Sequence, residues 1–175
     1  MNRILGVDPG SRITGFGIVE SAGRGYHHVT SGMIRTASAP FPERLRIIFE
    51  DLTALIRDFN PQSMAIEQVH VRQNVASALK LGQARGAAIC AGAVAGLAVH
   101  EYTPAEAKQA LAGHGGADKH QVQTMVRLLL GLPAAPSEDA ADALAMALCH
   151  LHQSAFSSRV ATATARQWKQ RPPNG

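Results

Sequence analysis

The sequence predicts an α/β domain in which a mixed five-stranded sheet carries helices packed on it. Three features predict it: three strand-like runs open the chain, strand-like and helix-like segments then alternate, and two apolar strand runs end in acids, Asp8 and Glu67. A carboxylate fixed at a strand end beside small turn residues suits a metal ion, so the same pattern that gives the fold also points to its working edge.

Taken in order, Arg3 to Asp8 and Thr14 to Glu20 read as strands joined by Pro9-Gly10-Ser11, and Gly25 to Arg35 reads as the third strand of a meander. From Pro42 apolar residues recur at Leu45, Ile48, Phe49, Leu52, Leu55, Ile56 and Phe59, a 3.6-residue period that stops at Asn60-Pro61. Ser63 to Glu67 is a fourth strand. After the polar stretch His70 to Asn74, a helix rich in Ala and Gly runs from about Ala76 to Leu97, and its small side chains permit close helix contacts within the fold or with another subunit. Ala98 to Tyr102 is a fifth strand, followed by helices at Pro104 to Ala112, Asp118 to Leu130 and Pro136 to about His152. The body is therefore one domain, residues 1–152, and 153–175 is expected to be a basic, disordered tail.

Charge sharpens this division. The chain carries 17 Lys and Arg against 13 Asp and Glu, a net charge of +4. Arg159, Arg166, Lys169 and Arg171 lie in the tail with no acid among them, so the tail accounts for the whole excess and the body is balanced. If Asp8, Glu67, Asp139 and Asp142 are neutralised by divalent metal, the rest of the body becomes net basic, which suits a polyanionic substrate. Cys90 and Cys149 are too few for a disulfide framework or a zinc finger, and the start of the chain lacks the charged and apolar regions of a signal peptide. With no membrane span either, a cytoplasmic protein is expected.

The second acid pair lies in Glu138-Asp139-Ala140-Ala141-Asp142-Ala143-Leu144-Ala145. Asp139 and Asp142, three apart on a helix, share a face with Cβ atoms about 5–6 Å apart. Glu138 is a rival to Asp139, being four residues from Asp142, and spacing alone does not choose between them. Oxygen-only ligands favour Mg²⁺ or Mn²⁺ over Zn²⁺, and four carboxylates balance two such ions. Two metals held this way are the common solution for phosphodiester hydrolysis. Cys149-His150-Leu151-His152 reads instead as a core cysteine beside polar histidines, and Lys108 and Lys119, taken alone, as ordinary solvated lysines.

These motifs carry a family resemblance. Leu5-Gly6-Val7-Asp8-Pro9-Gly10-Ser11-Arg12-Ile13-Thr14-Gly15, Ile66-Glu67-Gln68-Val69, Ser77-Ala78-Leu79-Lys80-Leu81-Gly82-Gln83-Ala84-Arg85-Gly86 and Asp139-Ala140-Ala141-Asp142-Ala143-Leu144-Ala145 resemble the RuvC family of bacterial Holliday junction resolvases, from Ile4 to about His152. The resemblance implies a ribonuclease H-like fold, a homodimer, and Mg²⁺-dependent cutting of four-way DNA junctions by paired symmetric nicks, with Mn²⁺ able to substitute, two ions per subunit and the RuvAB branch-migration complex as partner. It implies Asp8, Glu67, Asp139 and Asp142 as catalytic metal ligands, which selects Asp139 over Glu138, and Lys108 and Lys119 as DNA-facing. His70 stands where many members carry Phe, and with Arg72 in the divergent segment after it is expected to contact DNA. Two rival functions are set aside on the residues: an actin-like ATPase or sugar kinase needs two such domains, and a junction binder without activity would lack one of the four acids. A nuclease acting on structured RNA precursors is the remaining alternative.

Overall fold

The computed structural model describes residues 2–23, 25–69 and 75–169, with side chains through residue 155. The elements in chain order are β1 (Arg3–Asp8), β2 (Ile13–Ala22), β3 (Gly25–Arg35), α1 (Phe41–Phe59), β4 (Ser63–Glu67), α2 (Val75–Val94), β5 (Ala98–Tyr102), α3 (Pro104–Ala112), α4 (Lys119–Leu129) and α5 (Glu138–Lys169). They form a five-stranded sheet in the order β3-β2-β1-β4-β5. β2 runs antiparallel to β1 and β3, whereas β1, β4 and β5 are parallel, so the mixed sheet expected from the sequence is the one observed.

Side chains alternate across a strand, and each sheet face takes its own helices. Leu5, Val7, Ile18, Met64 and Ile66 face α1 and α2, where they meet Ile48, Leu52, Ile56, Ala84 and Ala88 in one core. Ile4, Val19, Ala65 and Tyr102 face the other way, into a core with Leu111 of α3, Val126 of α4 and Leu144 and Leu148 of α5.

The second face is opened by missing side chains. Gly6 and Gly17 are paired across β1 and β2, and Gly15 is paired with Asp8. A Cβ on Gly6 would lie 1.9 Å from the Ala143 carbonyl oxygen, and one on Gly15 would lie 2.0 Å from that of Asp139. Helix α5 therefore lies directly on the β1–β2 backbone, with its first turn beside the end of β1.

Helix ends follow local chemistry. Thr103 with Glu106 and Asp118 with Gln121 form capping boxes at α3 and α4, so Asp118 is the cap and not the first helical residue. Asn60 closes α1 in the left-handed conformation at φ 53°. Helix α2 ends at Val94 and not Leu97 because Gly96, at φ 77°, turns the chain out first. Helix α5 passes the expected end near His152 and continues to Lys169: no Gly or Pro stands in that stretch to stop it, and Pro172 is the first. This corrects the expected helix end near His152. The division of the chain at residue 152 into nuclease body and basic tail is kept as a proposal.

Candidate metal centre

Asp8 and Glu67 lie at the C-terminal ends of neighbouring parallel strands, one residue beyond the pair Val7 and Ile66. Strand parity puts them on the face that carries α5, since Asp8 alternates in step with Ile4 and Gly6, and Glu67 with Ser63 and Ala65. The first turns of α5, admitted by Gly15, bring Asp139 and Asp142 to the same place. Acids separated by more than a hundred residues of chain thus meet because of one strand register and one glycine-lined face.

Asp8, Glu67 and Asp142 line a cavity of about 320 Å³ together with Lys108 and Lys119, with Ala107, Val122 and Met146 as part of its wall. Asp139 does not line it, although its charge acts on both Asp8 and Asp142. A larger cavity of about 940 Å³ beside Glu106, Gln109 and His152 holds none of the four acids, so size does not identify the site.

The electrostatics are those of crowded like charges. The Asp8 carboxyl is pushed up to about 8, first by burial, then by Glu67 and Asp142, by a hydrogen bond shared with Glu67, and by Asp139. Asp142 is raised by burial and by Asp139, against the opposing pull of Lys119 and Lys108. Lys119 forms an ion pair with Glu138 and lies 3.7 Å from Asp142. Glu138 therefore faces the lysine, which is a different task from the one spacing left open to it.

Among the described residues no three His, Cys, Asp or Glu side chains form a ready-made ligand cage. The acids are nevertheless chemically fitted to a divalent cation. They offer only hard oxygen donors, they are partly buried, and they repel one another to the point that Asp8 is driven toward its neutral form. A divalent cation would relieve that repulsion.

Four features escaped the sequence reading or fell outside the structure. His70 and Arg72 lie outside the described residues. His150, expected only as a polar histidine, is buried: its Nδ1 lies 2.7 Å from the Tyr102 hydroxyl and its Nε2 3.3 Å from Ser63 Oγ, and burial and His100 lower its basicity to about 4. His152 turns elsewhere, to the Ala110 carbonyl, while Cys149 is buried as expected. Arg85 donates from Nε to the Glu67 carbonyl at 3.0 Å, a contact that no local spacing signals.

A family model for the crossover junction endodeoxyribonuclease RuvC matches residues 4–150. The chain is 58% identical over 165 residues to the crossover junction endodeoxyribonuclease RuvC of Alkalilimnicola ehrlichii, covering 94% of this chain and all of that protein. It is 59% identical over 152 residues to the protein of the same description from Stutzerimonas stutzeri, covering 87% of each. Its fold matches Thermus thermophilus RuvC in complex with Holliday junction substrate at a TM-score of 0.85 and 35% identity, over 90% of this chain and 97% of that one. The Thermus thermophilus RuvC structure matches at a TM-score of 0.81 and 36% identity, over 89% and 96%.

Proposed function

The chain belongs to the RuvC family of crossover junction endodeoxyribonucleases, a phosphodiester hydrolase that resolves Holliday junctions in recombination and repair, and we propose that it does so through Asp8, Glu67, Asp139 and Asp142. The observation that supports this reading is the meeting of Asp8, Glu67 and Asp142 with Lys108 and Lys119 in one cavity, with Asp139 acting on it from the same helix face.

The family implies dependence on metal; Mg²⁺, with Mn²⁺ as a substitute and two ions per subunit, is the finer reading. Bound there, the ions supply Lewis acidity toward the scissile phosphate and lower the pKa of attacking water. The residues of the chain do the rest. Asp8 and Glu67 are brought side by side because each directly follows a residue of the last β1–β4 pair, Val7 and Ile66. Asp139 and Asp142 are set by the seating of α5 on glycine. Lys108 and Lys119 lend positive charge to phosphate at the cavity mouth, and Lys119, paired with Glu138 at an exposed position, exchanges that partner for phosphate at little cost.

A homodimer fits the outward face of α2. Val75 and Leu79 stand exposed there, and Gly82 and Gly86 meet nothing within 4 Å, so a second copy could approach closely. Two equivalent sites would address two strands of like polarity in a pseudo-symmetric junction. His70 and Arg72 are proposed as DNA contacts next to Glu67, RuvAB as the partner machinery, and the cytoplasm as the location. No helix among the described residues is long and apolar enough to cross a membrane.

The test is incubation of the protein with a synthetic four-way junction, a linear duplex and a hairpin RNA in Mg²⁺, with products mapped on denaturing gels. Paired nicks confined to the junction are expected. Preferential cutting of the hairpin RNA would overturn the reading.

A further inference from the structure

Arg85 lies on α2, on the opposite side of the sheet from the acids, yet it reaches the end of β4. Its Nε donates to the main-chain carbonyl of Glu67 at 3.0 Å. Its Nη2, shielded from solvent, meets Glu101 Oε2 of β5 at 2.7 Å as an ion pair without the alignment of a hydrogen bond. One guanidinium therefore spans three elements: the helix that carries it, the strand that carries Glu67, and the neighbouring strand.

The carbonyl it holds lies at the end of the strand. The β1–β4 ladder ends at Val7 and Ile66, so Glu67 stands one residue past it. On the β5 side Glu67 is paired with Tyr102 and the Gln68 amide donates to the Tyr102 carbonyl at 2.8 Å, so Arg85 adds a side-chain hold where that ladder ends. The side chain of Arg85 is only 19% exposed, in a helix whose buried face is otherwise small: Ala84, Ala88, Ala91 and Gly92. A partly buried ion pair is a poor source of stability, because desolvation offsets most of the attraction and an apolar side chain would serve as well. What the guanidinium adds is direction through its Nε hydrogen bond to the Glu67 carbonyl, while Glu101 holds it by charge.

We propose that Arg85 is a positioning residue: by holding the Glu67 main chain from the far side of the sheet, it sets the Glu67 carboxylate for metal and joins the proposed dimer helix to the active edge. The inference rests on Glu67 being one of the metal-holding acids. Partners that orient a ligand characteristically change metal affinity or activity about 10–100-fold when removed.

The test compares Arg85→Ala, Arg85→Lys, Glu101→Gln and Glu67→Gln in the full chain. Mn²⁺ binding is read by electron paramagnetic resonance without DNA, junction affinity without divalent ion, oligomeric mass by light scattering, and single-turnover cutting in Mg²⁺. Arg85→Ala is expected to weaken Mn²⁺ binding about tenfold and slow cutting about 10–100-fold, with junction affinity and mass unchanged. Arg85→Lys, which keeps the charge but cannot bridge both acceptors, should fall between it and the parent. Glu101→Gln should shift Mn²⁺ binding only about threefold or less, because the bond to the Glu67 carbonyl survives. Wild-type Mn²⁺ binding and rate in Arg85→Ala would overturn the inference, as would a loss of junction affinity equal to the loss of rate. If Arg85→Ala does not fold, wild-type Mn²⁺ binding in Arg85→Lys overturns it equally. If Glu67→Gln itself binds Mn²⁺ normally, the assignment of the site fails instead, which separates the two.

Discussion

The two faces of the sheet are built on opposite principles. Toward α1 and α2 the strands present volume: Leu5, Val7, Ile18, Met64 and Ile66 interdigitate with Ile48, Leu52 and Ile56. Toward α5 the centre of the sheet presents almost none, because Gly6, Gly15 and Gly17 let the helix backbone down onto the strands. The aliphatic face contributes burial and tolerates small adjustments. The glycine face contributes position, and carries the acids at its end. Stability and the proposed catalytic acids are thereby divided between opposite sides of one sheet, and this division can be attacked from either side.

The largest expected effect is on the glycine face. Gly6→Val would drive its side chain into the Ala143 carbonyl, backbone against which no rotamer escapes, and should destabilise the fold by about 4 kcal/mol or more. A denaturant midpoint close to that of the parent would mean that α5 can lift off the sheet, and the positional argument would be lost. Next, Asp8→Asn should slow junction cutting about a thousandfold, roughly 4 kcal/mol in activation free energy. It should also raise the melting temperature by several degrees, because the buried carboxyl crowded by Glu67 and Asp142 must either be desolvated as an anion or take up a proton on folding, and the amide must do neither. A lower melting temperature in Asp8→Asn would show the acid to be structural. Glu67→Gln, Asp139→Asn and Asp142→Asn should likewise lose cutting while retaining junction binding.

On the aliphatic face Leu52→Ala should cost about 3 kcal/mol in urea unfolding, yet leave the rate of cutting per folded molecule near normal. An equal loss of rate would show that the faces are not separable. A smaller effect comes from His150. Its basicity is lowered to about 4 in the fold, whereas the unfolded chain takes up the proton near pH 6.5, so stability is complete above about pH 6.5 and is lost as pH falls toward 4. The loss should reach about 2 kcal/mol after allowance for solvent screening, and His150→Gln should flatten it. Unfolding curves between pH 7 and 4 measure it, and an unchanged slope in the variant would clear His150 of the effect. The smallest change is at the mouth of the site: Lys108→Ala should reduce the slope of log K against log salt by about one. An unchanged slope would remove Lys108 from the DNA surface.

Much of this molecule can be read residue by residue along the chain. The strand Ser63–Glu67 and the helix Pro104–Ala112 coincide with their sequence boundaries, since alternation, capping residues and turn residues act over a few neighbours. Asp8 and Glu67 stood out for the same reason, as acids closing apolar runs. The proposed roles of Lys108 and Lys119 come only through resemblance, because nothing within several residues distinguishes them from solvated lysines. The end of α5 is a case of another kind: no Gly or Pro follows His152 closely enough to stop the helix there, and it carries on to Lys169.

Local patterning in the chain thus specifies the strands, most helix ends and the acids that close two strand runs, because each depends on dihedral preferences and periodicity over a few residues. Only the folded sheet makes a site of them. The parallel register of β1 and β4 brings Asp8 level with Glu67, and the absence of Cβ atoms at Gly6, Gly15 and Gly17 admits α5 with Asp139 and Asp142. Arg85 can grip the Glu67 carbonyl only once α2 lies across the sheet, and the basicity of His150 falls only once it is buried beside His100. Such contacts join residues far apart in the chain, and their geometry is set by how elements stack and by what space remains between them, quantities that no short window of sequence contains.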